Sequence, residues 1–185
     1  MLRSQTFTDN ILTCTVFGVA YWVSFEISNY LNLTQGFAPG ISLVFIPAGV
    51  KLLAALIGGF WGIVGVVVAL TFQGYDIWSE QSQTFILLNA LINGFSTLAV
   101  VELMRRILKI DQDLSNIRLL HLPLIDLANS VCLGLVQSGH RVFWGLEDNN
   151  DFLTKVSATA FGDFFGSMIL LLGWAIFLMT KNKIT

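Results

Sequence analysis

Hydrophobic residues run through this chain in long stretches that polar clusters, prolines and glycines separate. A helix that crosses a bilayer needs about 20 mostly apolar residues. Stretches of this kind lie at approximately 11–30, 41–58, 60–75, 84–107, 119–138 and 155–179. The second and third are short because the glycine-rich segment 57–62 must turn the chain between them, so one of the two is a candidate for a broken or tilted helix. The pattern predicts an all-α bundle of about six transmembrane helices.

Composition places the chain among polytopic membrane proteins. Of its 185 residues, 55% are hydrophobic and 12% are charged, and the mean hydropathy is +0.72. A soluble core cannot absorb this much apolar surface. The longest polar connections, 108–118 and 139–154, are too short to fold alone, so we expect residues 1–185 to form one integral domain in a lipid bilayer. A net charge of -2 without a basic patch argues against nucleic-acid binding.

The basic residues predict the orientation of the bundle. Cytoplasmic connections of membrane proteins carry an excess of lysine and arginine. If both termini lie inside, the cytoplasmic side holds Arg3, Arg105, Arg106, Lys109, Arg118, Lys181 and Lys183. The external side then keeps only Arg141 and Lys155 among the basic loop residues. We therefore predict an N-in/C-in topology.

Ionisable side chains interrupt the apolar stretches at Glu26, Lys51, Glu102, Asp126 and Asp163. A charge at bilayer depth costs about 2.5–3.5 kcal/mol, so each of these groups should face the bundle interior or carry a partner. Glu102 precedes two arginines by one helical turn, which predicts an ion pair at the cytoplasmic end. The others are candidates for a polar interior.

The depth of each group in the bilayer suggests which of them meet. At 1.5 Å per helical residue, Lys51 lies about 15 Å from the external side and Asp163 about 12 Å. A lysine side chain reaches upward by several ångströms, so we predict that Lys51 pairs with Asp163 in preference to Glu26, and that Asp126 is a less favoured partner. The alternative is that Lys51 extends its ammonium group to an interface.

A ligand chamber that opens to the outside would need several polar side chains at similar depth. Asn89 and Asn93 are one turn apart on the fourth span and therefore share a face. We predict a ligand-binding set of Lys51, Asp163, Asn89, Asn93 and Glu26. A purely structural hydrogen-bond network would show the same pattern, and the sequence leaves both interpretations open.

Prolines and glycines predict kinks and close helix contacts. Pro47 removes a backbone donor and Gly49 weakens the same turn, so we expect the second span to kink there and expose carbonyl groups to the polar interior. Small residues four apart allow helices to approach closely in lipid. Such pairs are Gly58 with Gly62 and Gly162 with Gly166. They predict packing within the chain or, alternatively, a homodimer seam.

The sequence contains no pattern that predicts enzymatic chemistry. His121 and His140 fall at opposite membrane faces in this topology, and no hydrolase, zinc or haem motif is present. We therefore expect neither catalysis nor a bound metal or cofactor.

Two segments resemble a known family. The segment 39–62 has a Pro-x-Gly start, an aliphatic run and a Gly-aromatic turn, and 161–166 contains Gly-Asp-x-x-Gly. Both resemble the membrane-associated sensor domain family, first type, of bacterial signalling proteins. The resemblance implies a sensing role in the bacterial inner membrane. It also implies functional weight at Pro47, Gly49, Gly162, Asp163 and Gly166.

A second resemblance is architectural. Substrate-binding subunits of energy-coupling-factor transporters are also compact six-span chains with both ends inside, a proline near the start of the second span and a glycine-rich turn after it. This similarity implies an external small-molecule site under the first loop, Asn32–Gly40. A third hypothesis is an accessory subunit of a larger membrane complex. We favour a small inner-membrane protein that senses or binds a solute and acts through a membrane protein partner or as a homo-oligomer.

The predicted topology can be tested by cysteine labelling in intact cells. A membrane-impermeant reagent should modify cysteine at Asn149→Cys, because the segment 139–154 is expected outside, and should spare Asn116→Cys. The opposite labelling pattern would overturn the orientation.

Overall fold

The computed structural model describes residues 6–31, 33, 41, 42, 44–118 and 120–181, with only the backbone described at 149 and from 174 to 181. Within these residues the α-helices are α1 (Phe7–Tyr30), α2 (Pro47–Leu53), α3 (Gly59–Ile77), α4 (Gln83–Ile107), α5 (His121–Phe143) and α6 (Phe152–Lys181). One turn of π-helix (Ala54–Gly58) joins α2 to α3, and a 3-10 turn (Asn149–Asp151) precedes α6. The described part of the chain holds no strand.

Five of the described helical stretches are long and apolar enough to cross a membrane. They are Phe7–Tyr30, Pro47–Ile77, Gln83–Ile107, His121–Phe143 and Phe152–Gly173. These stretches confirm the predicted all-helical membrane protein, whereas the count of six full-length spans is not confirmed. The second and third predicted spans both fall within Pro47–Ile77.

Polar and apolar side chains are distributed as a membrane protein requires. Large apolar side chains such as Val19, Leu91 and Leu135 are exposed on the outside of the bundle. Lys51 and Asp126 are instead completely buried. A soluble protein places its charges outside, so this arrangement suits a surface covered by lipid.

The chain reverses direction inside Pro47–Ile77. Gly59 has φ 56° and ψ −137°, a left-handed conformation that breaks a helix and that glycine tolerates. Gly62 lies directly against the carbonyl group of Ala54. In a continuous helix these two residues would be about 12 Å apart. The predicted turn within 57–62 is therefore confirmed.

Glycines bring α1 and α3 into close contact. A Cβ atom on Gly65 would overlap the backbone of Cys14, and one on Gly18 would meet the Gly65 carbonyl. Further along both helices, the rings of Trp22 and Phe72 lie 6.1 Å apart. Residue numbers rise together along the two helices, so α1 and α3 run parallel.

The glycine pair at the turn between α2 and α3 also packs within the chain. Gly58 and Gly62 both lie against the ring of Phe17 on α1. This contact agrees with the prediction of packing inside the chain at this pair.

The prediction that a helix starting near residue 41 kinks at Pro47 is wrong. Pro47 is the first residue of α2. Proline suits this position because the first N–H groups of a helix have no partner within the helix. Just before it, the Phe45 amide donates a hydrogen bond of 2.9 Å to the Gly162 carbonyl of α6. Gly166 lies against the same Phe45 backbone, and Gly49 also packs on α6.

The two ends of the bundle differ in character. At one end, here called the turn end, the Gly58 turn faces Arg105 and the segment 111–113. Glu102 accepts ion-pair contacts there from Arg105 at 3.4 Å and Arg106 at 3.1 Å, as the sequence predicted. At the opposite end, here called the cavity end, α3 finishes beside α5 around a polar cavity.

The contact between Gly166 and Phe45 gives a stability prediction. Gly166→Ala should destabilise the protein by about 1–3 kcal/mol, because the new methyl group would overlap backbone atoms that cannot rotate away. Thermal unfolding in detergent measures the effect. Gly173→Ala is the matched control on the same helix, since its methyl group would meet no described atom within 4 Å. Equal stability of the two variants would contradict the close packing of Phe45 on α6.

Candidate functional site

A cavity of about 240 Å³ lies between the helices at the cavity end. Its apolar walls include Phe25, Phe45 and Trp78. Its polar lining consists of Tyr21, Asn29, Ser42, Gln73, Asn89, Asn93, Gln137, Arg141, Thr159 and Asp163. We call this space the polar cavity.

Helix geometry explains why these side chains converge. Residues four apart on a helix lie on one face. Three helices each give the cavity one such polar pair: Asn89 and Asn93 from α4, Gln137 and Arg141 from α5, and Thr159 and Asp163 from α6. The shared face predicted for the two α4 asparagines is confirmed. Several helices therefore turn their polar faces toward one space.

Lys51 lies next to the polar cavity and contacts two of its lining residues. Its side chain is completely buried and does not belong to the cavity lining, so the prediction that Lys51 lines the chamber is wrong. The ammonium group donates a 2.6 Å hydrogen bond to Asn93 Oδ1 and lies 3.7 Å from Asp163 Oδ2. The predicted pairing of Lys51 with Asp163 is confirmed. This contact ties α2 to α4 and α6 at the floor of the polar cavity.

A second buried ion pair stands at the cavity wall. Arg141 Nη1 lies 3.2 Å from Glu147 Oε1, and both side chains are at least 95% buried. The same guanidinium donates a 3.0 Å hydrogen bond to Gln137 Oε1 and lies 5.8 Å from the centre of the Trp78 ring. These contacts hold Arg141 and Gln137 in fixed orientations.

Asp126 lies outside the cavity lining and is linked through Ser167 to the backbone of Asp163. Ser167 Oγ lies 2.5 Å from Asp126 Oδ2 and joins α6 to α5. Asn129, one turn further along α5, is completely buried, and its side-chain amide has no hydrogen-bond partner among the described residues. Neither residue belongs to the lining of the polar cavity. The structural interpretation of the buried polar groups therefore fits Asp126, whereas the chamber interpretation fits Asn89, Asn93 and Asp163.

Glu26 lies away from this site. Its side chain is exposed on α1 and is not part of the cavity lining. The residues of α1 that do line the cavity are Tyr21, Phe25 and Asn29, which are spaced four apart on a different face. The placement of Glu26 in the chamber is therefore wrong. The predicted site under the first loop, Asn32–Gly40, falls outside the described residues except for Leu33.

Several lining residues were not predicted from the sequence. Arg141 was assigned to an external loop because the fifth span was expected to end near 138, but α5 continues to Phe143. The spacing of Gln137 and Arg141 is the signal that would have placed both on one helix face. Gln73 gave no comparable signal, because it is a lone amide near the end of an apolar span. Within the described residues, no group of three or more His, Cys, Asp or Glu could hold a metal.

The ion pair of Lys51 and Asp163 predicts strong energetic coupling. Lys51→Met should destabilise the detergent-solubilised protein by about 3–5 kcal/mol, because it leaves the Asp163 carboxylate buried without its cation. Adding Asp163→Asn should recover a substantial part of the loss. Thermal unfolding of the two single variants and the double variant measures the coupling free energy.

A matched pair at the turn end provides the control for this cycle. Arg106 and Glu102 are largely exposed, so the same analysis on Arg106→Met and Glu102→Gln should show less than about 1 kcal/mol of coupling. Simple additivity for Lys51→Met and Asp163→Asn would show that the buried pair does not exist in solution.

Comparisons with protein-family models, with curated proteins and with solved structures find no match to this chain. The similarity of the segments 39–62 and 161–166 to the membrane-associated sensor domain family therefore stays an expectation from short motifs. The same holds for the architectural similarity to energy-coupling-factor subunits.

Proposed function

We propose that this protein is a bacterial inner-membrane protein that binds a small solute in the polar cavity and acts through a partner chain. The observation that carries the proposal is the convergence of polar side chains from five helices on an open space. A purely structural network would join such groups to each other. Asn93 and Asp163 are joined through Lys51. However, both of them and Asn89 also border an open volume of about 240 Å³, which a purely structural network would not need.

The size of the cavity suits a small polar molecule. With about 30 Å³ for each water molecule, the volume corresponds to about eight waters. Ligand sites in membrane bundles combine apolar walls with a few convergent polar groups, as this one does. The proposal assigns a binding role and no catalytic step, because the carboxylate and the two cations next to the cavity are held in ion pairs.

The helix directions support six crossings and an external cavity. Because the chain reverses at Gly59, α2 and α3 run in opposite directions, and α1 runs parallel to α3. With the N-terminus inside, α3 then ends outside, which places the cavity end on the external face. The turn end, with Arg105 and Arg106, lies inside in agreement with the excess of basic residues on that side. The helical part of the second crossing is short because α2 begins only at Pro47.

The contacts around α2 suggest how binding would reach a partner chain. Asp163 lines the cavity, pairs with Lys51 of α2, and lies on the helix that holds Phe45 through Gly162. A solute that contacts Asp163 would change the balance of these interactions, and α2 leads directly to the turn at the cytoplasmic end. A sensor kinase or cyclase, or a transport ATPase with its membrane coupler, would occupy that end.

Retention of a native solute tests the binding role. The full chain, purified in mild detergent, should release a small molecule on denaturation that mass spectrometry detects. Asn89→Phe should abolish retention, because the ring fills the polar cavity. Leu88→Phe is the matched control, since Leu88 is exposed on the outer face of the same helix.

Equal retention by wild type and Asn89→Phe, or by neither, would contradict the proposed function. The proteins that co-purify with the wild-type chain then distinguish the roles. A kinase or cyclase supports sensing and an ATPase supports transport. A large stable complex without solute retention supports an accessory subunit and contradicts the binding role.

A further inference from the structure

Each of the two charged residues that line the polar cavity, Arg141 and Asp163, faces a buried partner of opposite charge. Asp163 at the floor is matched by Lys51 at 3.7 Å, and Arg141 at the wall is matched by Glu147 at 3.2 Å. Glu147 also lies 3.9 Å from Lys155, which does not line the cavity. All four side chains are at least 93% buried. A solute with a net charge would have to break one of these pairs or add a charge without a counter-charge. Both changes are costly because the paired side chains are buried.

The two cations also fix the orientation of the neighbouring amides. An ammonium or guanidinium group can only donate hydrogen bonds, so the amide atom that faces it must be oxygen. Asn93 turns its Oδ1 to Lys51, and Gln137 turns its Oε1 to Arg141. The NH₂ groups of both amides are therefore left as donors in residues that line the cavity.

A third lining amide adds to this set of donors. Gln73 is 97% buried, and its Nε2 has no hydrogen-bond partner among the described residues. Each of these amides can donate to a solute atom that carries a lone pair, such as a carbonyl oxygen or a ring nitrogen. Leaving a buried donor unpaired costs about 1–3 kcal/mol, so a solute that supplies acceptors removes this penalty.

Aromatic side chains complete the walls. Tyr21, Phe25, Phe45 and Trp78 all line the polar cavity. Aromatic faces favour flat rings through stacked or edge-on contacts. A flat ring with carbonyl or ring-nitrogen acceptors would satisfy the aromatic walls and the amide donors together.

From these contacts we infer that the polar cavity selects an uncharged, flat solute that presents several hydrogen-bond acceptors, of the size of a single heteroaromatic ring. This inference rests on the proposed function and names the chemical class that the same site binds. A zwitterionic amino acid is the competing class. It would place its carboxylate on Arg141 and its ammonium on Asp163, and so would displace Glu147 and Lys51 from their partners.

Three probes of one shape test the charge rule. Benzamide, benzoate and benzamidine share the same ring and almost the same size, but at neutral pH they are neutral, anionic and cationic. Uracil adds a flat ring with more acceptors, and glycine represents the zwitterions. Binding to the full chain in nanodiscs is measured by calorimetry and by the shift in thermal unfolding. Benzamide and uracil should bind at least about tenfold more tightly than the charged probes, which corresponds to about 1.4 kcal/mol.

A single isosteric substitution should switch this preference. Asn89→Asp places a carboxylate at the cavity wall without changing the volume, so benzamidine should become the preferred member of the three isosteric probes. Asn150→Asp is the matched control, because it makes the same change at an exposed position away from the cavity. It should leave the wild-type preference for benzamide unchanged.

The outcomes separate the two proposals. Tighter binding of benzoate, benzamidine or glycine to the wild-type chain would overturn the uncharged class while leaving solute binding intact. The same holds if Asn89→Asp binds in the cavity but does not change the preference. No binding of any probe to wild type or to Asn89→Asp would overturn the proposed function together with the class.

Discussion

The structure depends on the burial of one lysine. Lys51 has no exposed surface, and an ammonium group without a partner at this depth would cost several kcal/mol. Its contacts with Asn93 and Asp163 remove much of that cost, and they are available only if α2, α4 and α6 meet at one point. The same geometry brings the polar faces of α4 and α6 together. The need of Lys51 for these two partners thus fixes the floor of the polar cavity.

The start of α2 depends on a second constraint, which is close backbone contact with α6. Phe45 donates its amide hydrogen to the Gly162 carbonyl, and Gly166 leaves room for its backbone. Because the amide of Phe45 has a hydrogen-bond partner on α6, the segment before Pro47 can lie inside the bundle without being helical. The ring of Phe45 then becomes part of the cavity wall. The contacts of Lys51 thus position the floor of the polar cavity, and the ring of Phe45 forms part of its wall.

Sequence patterns predicted the features that follow from burial cost and spacing. These features include the long apolar stretches and the turn at 57–62. The pairing of Lys51 with Asp163 was also predictable, because an intramembrane charge needs a partner of opposite sign at similar depth. The placement of Glu26 failed because depth alone does not determine the face of a helix. The start of α2 at Pro47 depends on a hydrogen bond that Phe45 donates to α6, which the local sequence does not show.

The role of Arg141 was also outside the reach of local patterns. An arginine next to a predicted loop is usually in water, and only the extra turn of α5 brings this one to the cavity wall beside Trp78. Its buried partner Glu147 comes from the segment after α5. Arg141 is thus a second paired cation beside Lys51. The two cations balance the acidic groups and orient the side-chain amides of the cavity. That balance supports the proposed preference of the site for uncharged solutes.

Access to the cavity from outside the cell is the central claim, and substituted-cysteine labelling at Thr159 tests it most directly. Thr159 lines the polar cavity but is 95% buried in the bundle. In a chain whose Cys14 and Cys132 are replaced by serine, a small membrane-impermeant thiol reagent added to intact cells should modify Thr159→Cys. It should spare Phe161→Cys, because this position is exposed on the outer surface of α6, where lipid is expected to cover it. Labelling of Thr159→Cys only from the cytoplasmic side, or from neither side, would contradict the account.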